Sequence, residues 1–251
     1  MRVATFNVLS GRSPGEGKAD LERFRAAVQE LDADLLGLQE VDRNQPRSRH
    51  ADLTAVAGEA MGASYQRFAA SLVGTPGVGW AVATGDESAE STAYGIAFLS
   101  RYDVLGARVV RLPGAPVPVP HRPDGRLLPR LVRDEPRVAI VAEVATPLGR
   151  IDVVTTHLSF LSPWNRVQLR RLVRDLGSGP RPVVLMGDLN LGPGAARRWT
   201  GMAPLATGPT FPAEAPTRQI DHILATQGVT ARHGAARELP MSDHRALVAD
   251  L

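Results

Sequence analysis

The chain has 251 residues, a formal net charge of +3, 43% hydrophobic residues and 22% charged residues, a composition typical of globular proteins and not of disordered ones. Because it contains no cysteine, a disulfide framework, a thiolate nucleophile and Cys-ligated metal sites are excluded. No apolar run approaches the roughly 20 residues that span a bilayer, and the first residues resemble a core strand and not a signal peptide, so we expect a cytoplasmic protein. No linker splits the chain, so we expect one domain over residues 1–251.

The first predicted unit is a strand, a helix and a second strand. Residues 2–8 are rich in β-forming side chains and predict a strand. Asp20 is a suitable N-cap for a helix, because apolar side chains follow it at helical spacing. These apolar positions are Leu21, Phe24, Val28 and Leu31. The apolar run over residues 34–40 predicts a strand that is buried on both faces.

The middle of the chain contains shorter elements and one irregular segment. Residues 53–61 predict a helix that ends at Gly62, and residues 94–99 and 138–144 predict strands. Residues 111–136 contain seven prolines, so they cannot form one regular element. A loop of this length is usually functional or disordered. Its arginines could form a lid over anionic groups or simply be solvated, and they include Arg122, Arg126, Arg130 and Arg133.

The second half repeats the strand–helix–strand plan. Residues 151–157 and 182–188 predict strands, and Ser162 followed by Pro163 predicts the start of the helix between them. The apolar stripe of this helix is Leu169, Leu172 and Leu176. Two further strands are predicted over residues 220–225 and 245–250. If the two units are related by internal pseudo-symmetry, their strand ends meet at one rim.

Polar side chains cluster at the ends of these apolar strands. They are Asn7, Glu40, His157, Asp188, Asn190, Asp221, His222, Asp243 and His244. A carboxylate beside a buried strand is costly unless it is paired or binds a cation. The carboxylates of Glu40, Asp188 and Asp243, with an amide oxygen and no thiolate, favour a hard ion such as Mg²⁺. Histidine and asparagine side chains could then hold the oxygens of a phosphate. His222, which lies inside its strand, is expected to be structural.

Several short motifs occur in a fixed order along the chain. They are Thr5-Phe6-Asn7-Val8, Leu38-Gln39-Glu40-Val41, Tyr94-Gly95, Thr156-His157-Leu158, Gly187-Asp188-Leu189-Asn190, Ile220-Asp221-His222-Ile223 and Ser242-Asp243-His244. Each motif alone is common. Their joint order resembles the endonuclease/exonuclease/phosphatase superfamily with the deoxyribonuclease-I-like fold, and the segments around Glu40 and Phe211 are similar to its bacterial metal-dependent hydrolase branch.

This resemblance implies an α/β fold, a four-layer α/β/β/α sandwich with two mostly antiparallel sheets face to face and helices outside. It also implies Mg²⁺- or Mn²⁺-dependent phosphoester hydrolysis. Glu40 would be the main metal ligand, and Asn7 and Asp243 would complete or support the metal site. Asp188 would orient and deprotonate water, although His244 is the alternative base. The remaining implied roles are stabilisation of the pentacovalent phosphorus by His157 and Asn190, contact with phosphate by His244, and orientation of His244 by Asp221.

The substrate is less constrained than the reaction. A small-molecule or lipid-like phosphoester is favoured, a DNA or RNA nuclease is the alternative, and a non-catalytic scaffold is a remote third reading. The resemblance places Tyr94 and Arg137 near the substrate. Trp164 could line a leaving-group pocket or pack the next helix onto the sheet, and Phe211 could stack on a ring or pack under its loop. Arginine is abundant, but nothing in the sequence aligns it along a nucleic-acid backbone.

Overall fold

The computed structural model describes residues 1–75, 78–121 and 129–251. Its strands form two large sheets and a small hairpin. The first sheet contains β1 (Arg2–Asn7), β2 (Leu35–Arg43), β3 (Tyr65–Thr75), β4 (Gly79–Val82), β5 (Ala93–Ser100), β14 (His233–Arg237) and β15 (Ala246–Asp250), in the order β14-β15-β1-β2-β5-β3-β4. The second contains β6 (Val104–Leu112), β9 (Arg137–Thr146), β10 (Gly149–His157), β11 (Val183–Asp188), β12 (Ala203–Pro204) and β13 (Asp221–Ala225), in the order β12-β13-β11-β10-β9-β6. The hairpin pairs β7 (Val119–His121) with β8 (Arg130–Val132).

Among the described strands, each large sheet contains one parallel pair, and all its other pairs are antiparallel. In the first sheet β1 pairs with β2 in parallel, and in the second sheet β10 pairs with β11 in parallel. A helix connects the two strands of each pair. Parallel neighbours have their carboxyl ends at the same edge, so each unit delivers two strand ends to one rim. The repeated plan expected from the sequence is therefore present.

Four helices cover the outer faces of the two sheets in the described residues. They are α1 (Leu21–Leu31), α2 (Leu53–Met61), α3 (Trp164–Leu176) and α4 (Pro193–Thr200). One apolar cluster lies between the sheets and includes Phe98 of the first sheet and Ile140 of the second. A second lies between the first sheet and the helices α1 and α2, and a third lies between the second sheet and the helices α3 and α4. The predicted four-layer α/β/β/α architecture is confirmed.

The ends of the helices follow from local chemistry. The Asp20 carboxylate accepts a hydrogen bond from the Arg23 amide at 3.0 Å, which satisfies a free N–H of the first turn of α1. Gly62 ends α2 in the left-handed conformation that glycine tolerates. The prediction for α3 is wrong by one residue: Pro163, not Ser162, occupies the N-cap position, and no side chain caps this end.

The irregular segment 111–136 contains more order than its composition predicted. Strand β6 extends to Leu112, and β7 and β8 form their hairpin within the segment. Of the four arginines considered as a lid, Arg122 and Arg126 lie outside the described residues. Arg133 is exposed.

In the part of the chain that the structure describes, no helix is both long and apolar enough to cross a membrane.

Candidate active site

The two parallel units meet at one rim, where the side-chain amide of Asn7 links the two sheets. Asn7 ends β1 in the first sheet, and Asp188 ends β11 in the second. The Asn7 side-chain NH₂ donates to Glu40 Oε1 at 3.2 Å and to Asp188 Oδ2 at 3.2 Å, while its Oδ1 accepts from the Leu9 amide. Asn7 therefore presents donors to two carboxylates and orients both of them.

Glu40 does not end its strand, as the sequence had indicated, but lies at a bulge inside β2. The pairing register of β2 shifts between Gln39 and Val41, and Glu40 has a φ of 56°. A bulge re-aims one side chain without ending the strand. The half-buried Glu40 carboxylate consequently faces the rim. Burial raises its pKa, and the nearby charge of Asp243 raises it further, while the hydrogen bond from Asn7 lowers it.

Gly187 allows β11 to approach β10 closely at the strand ends. A Cβ at this position would overlap the carbonyl oxygen of Thr156, and Gly187 has a φ of 144°. Only glycine adopts this backbone conformation without strain. The close approach places Asp188 opposite His157 in the parallel register.

Asp188 is the most connected carboxylate of the site. Its Oδ1 accepts from the Asn190 amide at 2.9 Å, and its Oδ2 lies 3.5 Å from His157 Nε2 and 3.9 Å from His244 Nε2. Burial raises the pKa of Asp188 to about 7, with a further contribution from the charge of Asp221. The Asn190 side chain donates to the Leu158 carbonyl at 3.1 Å and lies 3.5 Å from His157 Nε2.

His157 and His244 have opposite electrostatic environments. Burial lowers the pKa of His157 well below its ordinary value, and the positive charges of Arg137 and His244 lower it further. Burial also lowers the pKa of His244, but the charge and hydrogen bond of Asp221 outweigh it and raise that pKa to about 10. The site thus pairs a neutral imidazole with a cationic one.

These side chains line a cavity of about 440 Å³. Its walls also include Tyr94, Arg137, Phe160 and Phe211. The centroid of the Phe211 ring lies 4.9 Å from that of the His244 ring, and the Arg218 guanidinium lies over the Phe211 ring at 5.0 Å from its centroid. Arg137 is buried, and its Nε has no hydrogen-bond partner among the described residues.

Four residues of the predicted site do not line this cavity: Asn7, Trp164, Asp221 and Asp243. Trp164 begins α3, where its indole N–H donates to the Pro113 carbonyl at 3.0 Å. Asp243 is half-buried beside the cavity and acts on Glu40 through its charge. Asp221 lies behind His244. His222 Nε2 lies 2.7 Å from the Leu191 carbonyl oxygen, which is the backbone bond expected of a structural histidine.

Two groups of residues at the site had no role predicted from the sequence. Glu135, Arg218 and Ile220 line the cavity, and they lie in segments that resemble the family, but no role was predicted for their side chains. Asp42 and Arg47 form a bidentate ion pair with two N–O distances of 2.8 Å, and the Arg47 guanidinium lies 5.5 Å from the Tyr94 ring centroid. Both residues lie in the segment after Glu40 that resembles the bacterial hydrolase branch, but the sequence did not indicate that they pair or that they support Tyr94.

Within the described ranges, two sets of side chains could hold a divalent cation. Asp188, Asp221 and His244 have ligand atoms within 4.8 Å of one another. In that group, however, Asp221 Oδ2 and His244 Nδ1 already engage each other at 2.9 Å. The second set is Glu40 with the neighbouring charge of Asp243. Its oxygen-only chemistry fits the preference of Mg²⁺ or Mn²⁺.

Comparisons with known proteins agree on the fold. The Endonuclease/Exonuclease/phosphatase family matches residues 4–244. An endonuclease/exonuclease/phosphatase structure from Beutenbergia cavernae is 26% identical, with a TM-score of 0.70 over 99% of this chain and 70% of that one. The mannosyl-6-phosphatase Bt3783 of Bacteroides thetaiotaomicron is 16% identical (TM-score 0.66, 100% and 98% covered), and sphingomyelinase C of Streptomyces griseocarneus is 15% identical (TM-score 0.60, 99% and 98% covered). No curated protein sequence matches the chain.

Proposed function

We propose, since the chain belongs to the endonuclease/exonuclease/phosphatase family, that residues 1–251 form one catalytic domain that hydrolyses a phosphomonoester or phosphodiester by in-line attack of water. Members of this family are hydrolases of phosphoesters. The favoured substrate is a small molecule or a lipid-like phosphoester. The fold is shared with a sugar phosphatase and a sphingomyelinase, and these relatives support this substrate class without fixing it.

One observation carries the proposal. Side chains from two different sheets, separated by up to 181 positions in the sequence, form a single hydrogen-bonded group through Asn7, Glu40 and Asp188. Buried carboxylates are costly without a cation or a reaction that uses them. No packing requirement explains this convergence around an open polar cavity.

Glu40 and Asp243 are the residues that would hold the metal ion, with Asn7 as support. Mg²⁺ or Mn²⁺ would supply positive charge to the phosphate oxygens. Asn7 contributes through its NH₂ group, which fixes the Glu40 carboxylate. A cation would also relieve the repulsion between Glu40 and Asp243 that raises the pKa of Glu40.

The remaining side chains of the site would have separate roles around the phosphate. Asp188, held at both oxygens by Asn7 and Asn190, is placed to orient water and accept its proton. Asn190 and His157 would donate to the oxygens of the pentacovalent phosphorus. His244, oriented by Asp221, would contact the phosphate, and Arg137 and Tyr94 border the same cavity.

Hydrolysis of synthetic esters tests the reaction class. We expect the protein to release p-nitrophenol from bis-p-nitrophenyl phosphate or p-nitrophenyl phosphate with Mg²⁺ and to stop when the metal is chelated. Asp188→Asn should abolish release, whereas Asp175→Asn, in a surface ion pair with Arg108, should retain it. Release that persists without metal, or in Asp188→Asn, would contradict the mechanism.

A second screen tests the substrate class. Plasmid DNA, RNA, sphingomyelin, inositol phosphates and nucleotides would be incubated with the protein and Mg²⁺. Preferential hydrolysis of a lipid or small-molecule ester supports the proposal. Preferential cleavage of plasmid DNA or RNA would make the protein a nuclease, the alternative considered from the sequence.

A further inference from the structure

A second and larger cavity lies beside the candidate active site. Its volume is about 720 Å³, within the range of roughly 300–1,000 Å³ that holds small ligands in proteins. The hairpin of β3 and β4 forms one wall, and residues 111–118 and 133–138 form the others. None of the chemistry assigned to the active site uses this space.

Apolar side chains dominate the wall of this cavity. They are Leu72, Trp80, Val82, Leu112 and Val117. Val82 and Val117 are exposed by 61% and 63%, respectively. Prolines at positions 113, 116 and 118 complete one side of it and supply further apolar surface with little freedom to move. The free energy falls when an apolar group displaces water from such a concave apolar surface.

The two cavities share walls. Arg137 and Glu135 line both of them. Trp80 lines the apolar cavity and Tyr94 lines the active-site cavity, and their rings make an edge contact with centroids 5.9 Å apart. The two cavities are therefore adjacent at Arg137 and Glu135.

The charges around the apolar cavity favour an anionic ligand. Both acidic residues of its wall are engaged: Asp134 accepts hydrogen bonds from Ser159 and the Ala115 amide, and Glu135 lies 3.5 Å from an Arg137 nitrogen. The arginines Arg111, Arg133 and Arg171 also line the cavity. Among the described residues, none of these three arginines pairs with a carboxylate, and Arg137 Nε is buried without a hydrogen-bond partner.

We propose that this apolar cavity binds the alkyl or aryl group of an anionic phosphoester whose phosphate occupies the neighbouring active site. The inference rests on the proposed phosphoesterase function and specifies its substrate as an amphiphile. The apolar group supplies affinity, because each fully buried methylene strengthens binding roughly fourfold. The arginines reject a ligand of the same length that carries a cationic head.

Binding of alkylphosphonates tests this inference without requiring turnover. Methyl-, butyl- and octylphosphonate would be titrated calorimetrically into the Mg²⁺-loaded protein, with octylphosphonate kept below its micellar concentration. We expect the Kd to fall at least about tenfold from methyl to octyl. Octyltrimethylammonium, with the same chain and the opposite charge, should bind at least about tenfold more weakly than octylphosphonate.

Two variants of the same hairpin give the matched control. Val82→Asp places a charge on the cavity wall and should remove the dependence on chain length while the Kd of methylphosphonate changes less than about twofold. Val78 is 89% exposed and does not line the cavity, so Val78→Asp should keep the dependence. Both positions are exposed, and thermal unfolding verifies that both variants fold.

The possible results separate this inference from the proposed function. The assignment of the cavity would be overturned if octylphosphonate bound no more tightly than methylphosphonate. It would also be overturned if Val78→Asp and Val82→Asp lost the dependence of the Kd on chain length to the same extent. Absence of p-nitrophenol release in the presence of chain-length-dependent binding would instead overturn the phosphoesterase function and leave the amphiphile site in place.

Discussion

His244 Nδ1 lies 2.9 Å from Asp221 Oδ2, and both side chains are buried. The other nitrogen of the ring, Nε2, faces Asp188 at 3.9 Å. Asp221 therefore fixes which nitrogen of His244 is directed at the cavity, and it balances the charge of the ring. A buried charge that loses its partner is strongly disfavoured, so neither residue keeps its role without the other.

We expect substitutions at Asp221 and His244 to be strongly non-additive. Asp221→Asn and His244→Gln should each lower kcat/KM by about 100-fold or more, and the double variant should be only a few-fold worse than the poorer single variant. Steady-state kinetics of the four proteins in the cycle measures this coupling. Losses that multiply in the double variant would show that the two residues act independently.

Glu40→Gln is expected to weaken metal binding at least about tenfold, because it removes the carboxylate that would hold the ion. Binding of Mn²⁺, followed by electron paramagnetic resonance, gives the affinity independently of activity. Glu59→Gln is the control, since Glu59 is an exposed glutamate on α2 that pairs with Arg25. If Asp221→Asn weakened Mn²⁺ binding and Glu40→Gln did not, the ion would belong to the group of Asp188, Asp221 and His244.

Gly187→Ala should destabilise the protein by about 2–4 kcal/mol. The added Cβ would overlap the Thr156 carbonyl oxygen, and the positive φ would strain the backbone. Chemical denaturation measures the change in the free energy of unfolding. Gly179→Ala, at an exposed position where a Cβ meets nothing within 4 Å, should stay within about 0.5 kcal/mol of the parent. Equal stability of the two variants would refute the role of the close approach.

Acid should destabilise the fold through His222. Burial lowers the pKa of His222, although the Leu191 carbonyl and the Asp221 charge oppose this shift. Below its ordinary pKa of about 6.5 the unfolded chain binds a proton that the folded protein does not, so stability falls as the pH falls from about 6.5 toward the lowered value. His222→Gln keeps a donor for Leu191 without titrating. Urea unfolding at pH 7.5 and 5.5 gives the free energy of unfolding of both proteins. Relative to the parent, the variant should be more stable at pH 5.5 than at pH 7.5. A stability difference that does not change with pH would contradict the prediction.

The central strands and their polar ends could be predicted because burial on both faces leaves an apolar run in the sequence. Strands β1, β2, β5, β10 and β11 all carry this signal. The edge strands could not be predicted from the sequence. β14 consists of His233-Gly234-Ala235-Ala236-Arg237, which contains no β-branched or bulky aromatic residue, and it forms because β15 offers it a partner.

The site could be predicted as a set of residues but not as a geometry. The motifs identify Glu40, yet nothing in them indicates the bulge that turns its side chain to the rim, since a glutamate with positive φ is stabilised only by the surrounding sheet. The orientation of Asn7, with its NH₂ group toward both carboxylates, also depends on tertiary contacts. The apolar cavity combines segments distant in the sequence, so no local pattern marks it.

The Asn7 amide spans two sheets, with β1 in one and β11 in the other. Neither half of the sandwich, folded by itself, possesses the complete constellation. A folding intermediate with only one ordered half would therefore lack the proposed phosphoesterase activity. The time at which hydrolysis appears during refolding would report when the two halves join.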